Sequence, residues 1–517
     1  MHQMKKFHIL NLSLTIIAGI AITSCNAGKS SPSSQQPVYT TIFDAGSSGT
    51  RLSFYKVIPG NGGYPQITKL YEKEYNDNGI NDFLSDNGTI ELVDKNGLDT
   101  MPNGARPVNC TGGTEQTSGK QIQIVGLGQS DVSPCVIAPL LVAQDSALST
   151  NGLLRSQVIT ELFATAGMRT EDQRNGGNFT TLQIANYYQT MKSYVANMGF
   201  KTGEFKTING NSEEGVWTWT NLNDYYYNII GGNTSVSQTV QQPVGDFEVG
   251  GSSMQIAFPT KTTPSDTGNV YPVSINGKTF NVYSKTILGL GGDDARKYVR
   301  AYGYNNQNGG LDCFATGATI SNTTEDSGIA LYPSTLLTPN IYPSNSLTTA
   351  PWFTLSNLQL NLTGNPSFNL ASCASKYNTV ISQVISLARN NNGTYDEGDT
   401  ATWATLKDAL QTSTQPFVGL DNFYYTADDL NIAESTGFNS TIFENNLTTK
   451  CASSIFGSKL FQQAVCANGT FMDTFLFGDN GLFNASSASF AGVLPSKQNG
   501  TTVLTWTRGY LLLKYAN

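Results

Sequence analysis

One pattern, carried twice, limits what this chain can fold into more than any other feature. The stretch FDAGSSGTR, Phe43 to Arg51, is echoed by FEVGGSSMQ, Phe247 to Gln255. Each copy sets an aromatic residue, an acid and a small or branched residue before a run of glycine and serine. Residues Thr40 to Asp44 and Leu52 to Val57 have strand character, so the first copy reads as a β-hairpin with a tip of small residues. The second copy repeats the plan around Glu248. A chain with two such hairpins is expected to hold two related halves that face each other across a cleft.

The tips imply a chemistry. Glycine permits positive φ and close approach, and successive N–H groups with serine hydroxyls form a concave nest for an anion such as phosphate. The acid ending each incoming strand, Asp44 or Glu248, would repel that anion unless a hydrated divalent cation sits between them. Two nests sharing one cation suit a chain of phosphates better than a single phosphate.

The ends of the chain remove other mechanisms. The two histidines, His2 and His8, lie in the first 25 residues, which read as an export signal. Lys5 and Lys6 there precede an apolar run from Ile9 to Ile22, too short for a comfortable membrane span. Without that leader no histidine remains, so any general base must be a carboxylate, lysine or tyrosine, and any metal a hard cation held by oxygen. Losing Lys5 and Lys6 takes the formal net charge from −8 to −10, which gives no electrostatic basis for binding nucleic acid. The leader ends in Ile22-Thr-Ser-Cys25, which resembles a bacterial lipobox in which Cys25 carries the lipid; the alternative is an ordinary cleaved signal. Seven cysteines are an odd number for an exported chain. Setting Cys25 aside leaves six, and Cys110 with Cys135, Cys313 with Cys373 and Cys451 with Cys466 is one of fifteen possible pairings.

Residues 26 to 36 read as a polar tether, and residues 76 to 133 as long surface loops. Helical patterns at Val136 to Ala147, Leu182 to Met198, Glu213 to Ile230, Lys376 to Arg389 and Thr402 to Leu410 alternate with strand-like runs at Ile122 to Val125 and Val270 to Val282. The mixture predicts an α/β fold.

Five stretches in order resemble the apyrase-conserved regions of the nucleoside triphosphate diphosphohydrolases: DAGSSGTR from Asp44, ATAGMR from Ala164, SEEGVWTW from Ser212, EVGGSSMQ from Glu248 and WTRGY from Trp506. The resemblance implies a duplicated ribonuclease-H-like fold of the actin and sugar-kinase type, with the active-site cleft between two domains. By analogy the first domain covers residues 37–210 and 488–517, and the second 211–487. It also implies disulfides Cys313–Cys373 and Cys451–Cys466. The implied activity is hydrolysis of the terminal phosphates of nucleoside tri- and diphosphates with Ca2+ or Mg2+. Glu214 would be the general base, with Ser253 and Gln255 positioning the attacking water. Gly46, Ser47, Ser48, Thr165, Gly250, Gly251 and Ser252 would cradle phosphate, while Asp44 and Glu248 would hold the metal through water. Tyr425 and Phe471 resemble the pair that stacks on the nucleobase. Glu213 and Glu214 also suit the first turn of a helix capped by Ser212 and stopped at Gly231.

Three positions depart from the family's pattern. Glu248 stands in place of an aspartate, Thr218 in place of a glycine, and Arg508 in place of an apolar residue. The longer arm of Glu248 leaves room for one competing expectation, a nucleotide-binding or adhesion lipoprotein with little turnover; a second, an exopolyphosphatase-like hydrolase of the same fold, is disfavoured because ATAGMR and EEG…W follow the apyrase pattern. The expected location is outside the cytoplasm on a lipid anchor, with no protein partner.

Overall fold

In a computed structural model of the chain, one compact unit spans Pro37–Asn517. The structure describes residues 36–83, 113–124, 132–228, 243–318, 366–385, 403–433, 439–453, 460–483 and 489–516, with short internal gaps that include Ser48. Cys25, Cys110, Gly231 and the leader fall outside the described residues, as does the side chain of Cys135.

Two sheets organise the unit. The first contains β1 (Val38–Ala45), β2 (Thr50–Ile58) and β3 (Gln66–Tyr75), while β4 (Gly113–Thr117) and β5 (Lys120–Ile124) form a hairpin of their own. It is completed by β6 (Val158–Ala164) and β7 (Lys201–Thr207) in the order β3-β2-β1-β6-β7. The second is built from β8 (Gly245–Val249), β9 (Ser253–Pro259), β10 (Val270–Ile275), β11 (Lys278–Leu288), β12 (Pro416–Asp421) and β13 (Ser489–Val493), in the order β10-β11-β9-β8-β12-β13. Without β10 the two sheets match strand for strand. In each, three antiparallel neighbours adjoin two strands added in parallel; the three follow one another along the chain as β1, β2 and β3 in the first sheet, whereas in the second the chain passes through β10 between β9 and β11. The repeat noticed in the sequence is therefore a repeat of topology: β1–β2 corresponds to β8–β9, and the acid sits at the same place in both.

Helices cover the faces. The first sheet packs on α1 (Ala138–Thr150) and α3 (Thr181–Asn197), with the short α2 (Ala166–Glu171) after β6. The second gathers a core with α5 (Leu370–Ile385), α6 (Trp403–Gln411), α7 (Asn422–Asp429), α8 (Ser440–Cys451) and α9 (Leu460–Leu476). A third core joins residues of both sheets, such as Ile42, Phe163, Ala257 and Val282, through α4 (Val216–Tyr225) and α10 (Trp506–Ala516). These two helices approach so closely that a Cβ on Gly509 would lie 1.8 Å from the Trp217 carbonyl oxygen, a crossing open to glycine alone.

The two disulfides implied by the resemblance are present: Cys313–Cys373 with Cα atoms 5.0 Å apart and Cys451–Cys466 at 5.9 Å, all four buried. The chain's return toward the first sheet, expected from residue 488, starts after Val493, because Ser489–Val493 is the edge strand of the second sheet, parallel to β12. From there β14 (Lys497–Gln498) and β15 (Thr501–Thr502) reach β3, where Lys497 meets Glu74 and the Thr502 amide donates to Glu72. Among the described residues no helix is long and apolar enough to cross a membrane.

Candidate active site

Each hairpin tip is closed by a backbone bond, Gly46 N–H to Gly49 O at 2.9 Å and Gly250 N–H to Ser253 O at 3.0 Å. The tips meet: a Cβ on Gly251 would sit 2.6 Å from Ser47 Oγ and 2.9 Å from Asp293 Oδ2. Behind the second tip, the carbonyls of Gly250, Gly251 and Ser252 accept from the amides of Gly292, Asp293, Asp294 and Gly289. That loop lies so flush that a Cβ on Gly291 would overlap the Gly251 carbonyl carbon at 2.2 Å. The first tip is backed by Gly167 of α2, whose Cβ would lie 2.9 Å from Ser47 Cα. Thr165, the residue before α2, is tied in by its amide to Ala45 O at 3.0 Å. The expected cradle residues Gly46, Ser47, Thr165, Gly250, Gly251 and Ser252 thus line the meeting of the tips, and Ser48 lies outside the described residues.

Glu214 sits on a turn built to hold it. Asn209, not Ser212, caps that turn: its side chain accepts from the amides of Asn211 and Ser212, and the Ser212 hydroxyl also bonds to it. The cap moves three residues toward the N-terminus because Gly210–Gly215 forms a wide π turn before α4, and the helix ends at Tyr225. Glu213 closes the turn, accepting from the Asn209 amide and pairing with Lys206 at 2.8 Å. Glycine at 210 and 215 lets the turn lie against β11, where Cβ atoms would meet Thr286 Oγ1 at 2.5 Å and Ser284 Oγ at 2.3 Å.

The Glu214 carboxylate is held by one oxygen. Oε2 takes Arg169 at 2.7 Å and the Gln255 amide at 3.1 Å; the same amide donates to Ser253 Oγ at 2.7 Å, and Arg169 Nη2 donates to that hydroxyl at 3.1 Å. Glu214, Ser253 and Gln255 are therefore one buried network, as their expected shared role requires. Arg169, fully buried, is the member sequence reasoning missed. It lies inside ATAGMR, and a buried guanidinium demands a carboxylate partner, which was the available signal.

Asp44 is buried and Glu248 half-buried, and desolvation raises both carboxyls, Asp44 to about 6 and Glu248 well above its ordinary value. Arg51, 3.7 Å from Asp44, and the Trp506 indole, which donates to it, lower Asp44 against the repulsion of Glu214 and Asp421. Glu248 is raised further by Glu214 and Asp421 and eased only by the hydroxyl of Thr218, 2.8 Å from Oε2. Thr218, one of the positions that depart from the family's pattern, thus touches Glu248, and Trp506 touches Asp44. Asp421 ends β12 with φ 55°, uncommon for a residue other than glycine, and burial raises its carboxyl too. Its place follows from the repeat: β12 corresponds to β6, whose end carries Thr165.

The two stacking positions separate. Tyr425 on α7 is 41% exposed, whereas Phe471 is 1% exposed, packed against Tyr377 and Phe475 in the second core. Phe471 offers no face to a base, because the phase of α9 turns it inward. Arg508 is half-buried on α10 and donates to Asn221 at 2.7 Å and Asp224 at 2.6 Å on α4, away from Asp44 and Glu248.

The profile of the GDA1/CD39 (nucleoside phosphatase) family matches residues 137–455, more than half of the chain. Among characterised proteins the sequence is similar to an ectonucleoside triphosphate diphosphohydrolase 8 of Bos taurus, 26% identical with 68% of this chain and 66% of that one covered. It is also similar to an ectonucleoside triphosphate diphosphohydrolase 2 of Gallus gallus, 25% identical with the same coverage. The chain thus spans just under two thirds of the length of both relatives. In three dimensions it is similar to a solved nucleoside triphosphate hydrolase structure from Neospora caninum, with a TM-score of 0.57, 14% identity and 93% and 92% of the two chains covered, which shows the shared fold. On its matched span and its duplicated sheets, this chain belongs to the GDA1/CD39 family of nucleoside phosphatases.

Proposed function

We propose that the protein hydrolyses the terminal phosphates of nucleoside tri- and diphosphates. The observation that carries this reading is the held carboxylate of Glu214. Its Oε2 is fixed by Arg169 and Gln255, which leaves Oε1 for a water beside the two tips. Glu214 Oε1 takes the water's proton as the water oxygen bonds to the terminal phosphorus, and the bond to the bridging oxygen breaks with its electron pair leaving on the nucleotide. Ser253 and Gln255 orient that water, and Gly46, Ser47, Ser48, Thr165, Gly250, Gly251 and Ser252 hold phosphate oxygens. Positioning and charge neutralisation supply most of such a rate enhancement.

Asp44 and Glu248 fit a divalent cation, Ca2+ or Mg2+: two acids whose surroundings disfavour their charged form, one from each hairpin, are groups that a cation would relieve. Among the described residues no three metal-ligating side chains are grouped to bind an ion directly, so the two acids would hold it through its waters. Once bound, such an ion neutralises charge on the bridging phosphates. Tyr425, with its exposed ring, would stack on a base of any kind. Export on a lipid at Cys25 agrees with the two disulfides, which suit an oxidising compartment.

Phosphate release from ATP and ADP tests the reading. Turnover with Ca2+ or Mg2+ is expected, abolished by EDTA and by Glu214→Ala; tight nucleotide binding without release would overturn it.

A further inference from the structure

We propose that Thr218 is a positioning residue that fixes which oxygen of Glu248 is turned toward the divalent ion, an inference that rests on the metal-binding reading of Glu248 above. Threonine in a helix ordinarily returns its hydroxyl to the carbonyl four residues back, as Thr220 does to Val216 O at 2.8 Å. Thr218, on the same helix and 2% exposed, instead bonds outward to Glu248 Oε2 at 2.8 Å. Among the described residues it is the side chain that donates to Glu248. The residue across the hairpin, Gln255, is engaged with Glu214 and Ser253. Asp246, two residues back on the same strand face, is fully buried, and among the described residues neither of its carboxyl oxygens has a hydrogen-bond partner, Glu248 included. A glutamate arm has one more rotatable bond than aspartate, and acids crowd it on several sides, so an untethered carboxylate would swing. The hydroxyl pins Oε2 and leaves Oε1 for the ion's water. Glu248 and Thr218 are also two of the positions where the sequence departs from its family's pattern, and the structure brings them together. The longer acid is matched by a hydroxyl able to hold it.

The test is calorimetric titration of Ca2+ and of Mg2+ into the full exported chain with a non-hydrolysable ATP analogue present. Thr218→Val is expected to weaken both ions roughly ten- to a hundredfold, the worth of a hydrogen bond to a charged group, while Thr218→Ser stays near the wild-type affinity. Glu248→Asp, too short to reach the hydroxyl, should cost much less in the Thr218→Val background than alone. Should the valine variant not fold, Thr218→Ala against Thr218→Ser gives the same comparison. If Thr218→Val binds the ions like wild type while Glu248→Gln does not, the inference about Thr218 falls and the reading of Glu248 stands. If Glu248→Gln binds them like wild type, both fall.

Discussion

The two hairpins occupy matching places in matching sheets, yet hold their acids differently. Opposite Asp44 across the first hairpin stands Arg51, a cation, and the Trp506 indole adds a second donor. Opposite Glu248 across the second stands Gln255, a neutral amide that is turned to Glu214, so among the described residues Glu248 has a hydroxyl and no cation beside it. The difference teaches that duplication fixes where an acid stands and leaves open what stabilises it. The first half carries its own counter-charge. The second half has turned its cross-strand residue to Glu214, the proposed general base, and on the proposed reading would rely on a divalent ion to offset its charge.

The largest effect should come where the halves share one group. Glu214→Gln removes the proposed base while keeping shape, and turnover should fall about a thousandfold, within the usual range for acid–base groups, with phosphate release as the measure; the melting temperature should fall too, because the buried Arg169 loses its carboxylate. A loss below tenfold would mean that neither half delivers the water to Glu214.

Next comes the tie between halves. Arg169 stands on α2 behind the first tip and bonds to Glu214 and to Ser253 of the second hairpin. Arg169→Ala leaves a buried carboxylate without its cation, a change that costs about 3–5 kcal/mol. Denaturant midpoints should drop accordingly, and kcat should fall about a hundredfold through loss of positioning. Arg169→Lys, a point charge in place of a fork, should recover stability more than rate.

A third experiment reads the difference between the acids directly. Desolvation raises Asp44 to about 6 and Glu248 well above its ordinary value, so the folded protein holds protons that the unfolded chain has released. The stability tied to these groups is complete below the unfolded value near 4 and is lost as pH rises through the folded values. Without divalent ions, thermal stability should therefore decline above pH 4, and saturating Ca2+ should flatten that decline. Glu248→Gln should remove more of the slope than Asp44→Asn, because Arg51 already offsets part of the charge on Asp44. Equal contributions would break the comparison.

Much of this was legible in the sequence, and for a physical reason. The hairpins and the stretches that carry Glu214, Ser253 and Gln255 are short local patterns, where a few adjacent residues settle the backbone, whereas the cysteine pairs, up to 60 residues apart, came from the family resemblance. What escaped depended on contacts distant along the chain or on the phase of a helix. The bond from Trp506 to Asp44 joins opposite ends of the chain, and that from Thr218 to Glu248 joins a helix to a strand after it. Phe471 and Tyr425 are both aromatic residues on helices, and only the rotation of each helix against its neighbours puts one in the core and the other at 41% exposure. The cap moved from Ser212 to Asn209 because a π turn adds residues that no spacing rule for α-helices supplies.

The smallest effect is a control that lies outside the cleft. Asp473 on α9 is buried, and burial, with Glu444 of α8 adding repulsion, raises its carboxyl to about 7. Its Oδ1 meets no donor. Like the cleft acids it favours the folded state below pH 4 and loses that contribution as pH climbs to about 7. No opposite hairpin faces it, so a divalent ion has no reason to relieve it. Asp473→Asn should thus raise stability at pH 7 to 8 by about 1–3 kcal/mol and leave it unchanged at pH 4, by the same amount with Ca2+ as without. If Ca2+ erased the difference between Asp473→Asn and wild type, the ion would be acting on buried acids throughout the fold, and the special dependence of the second hairpin on it would be lost.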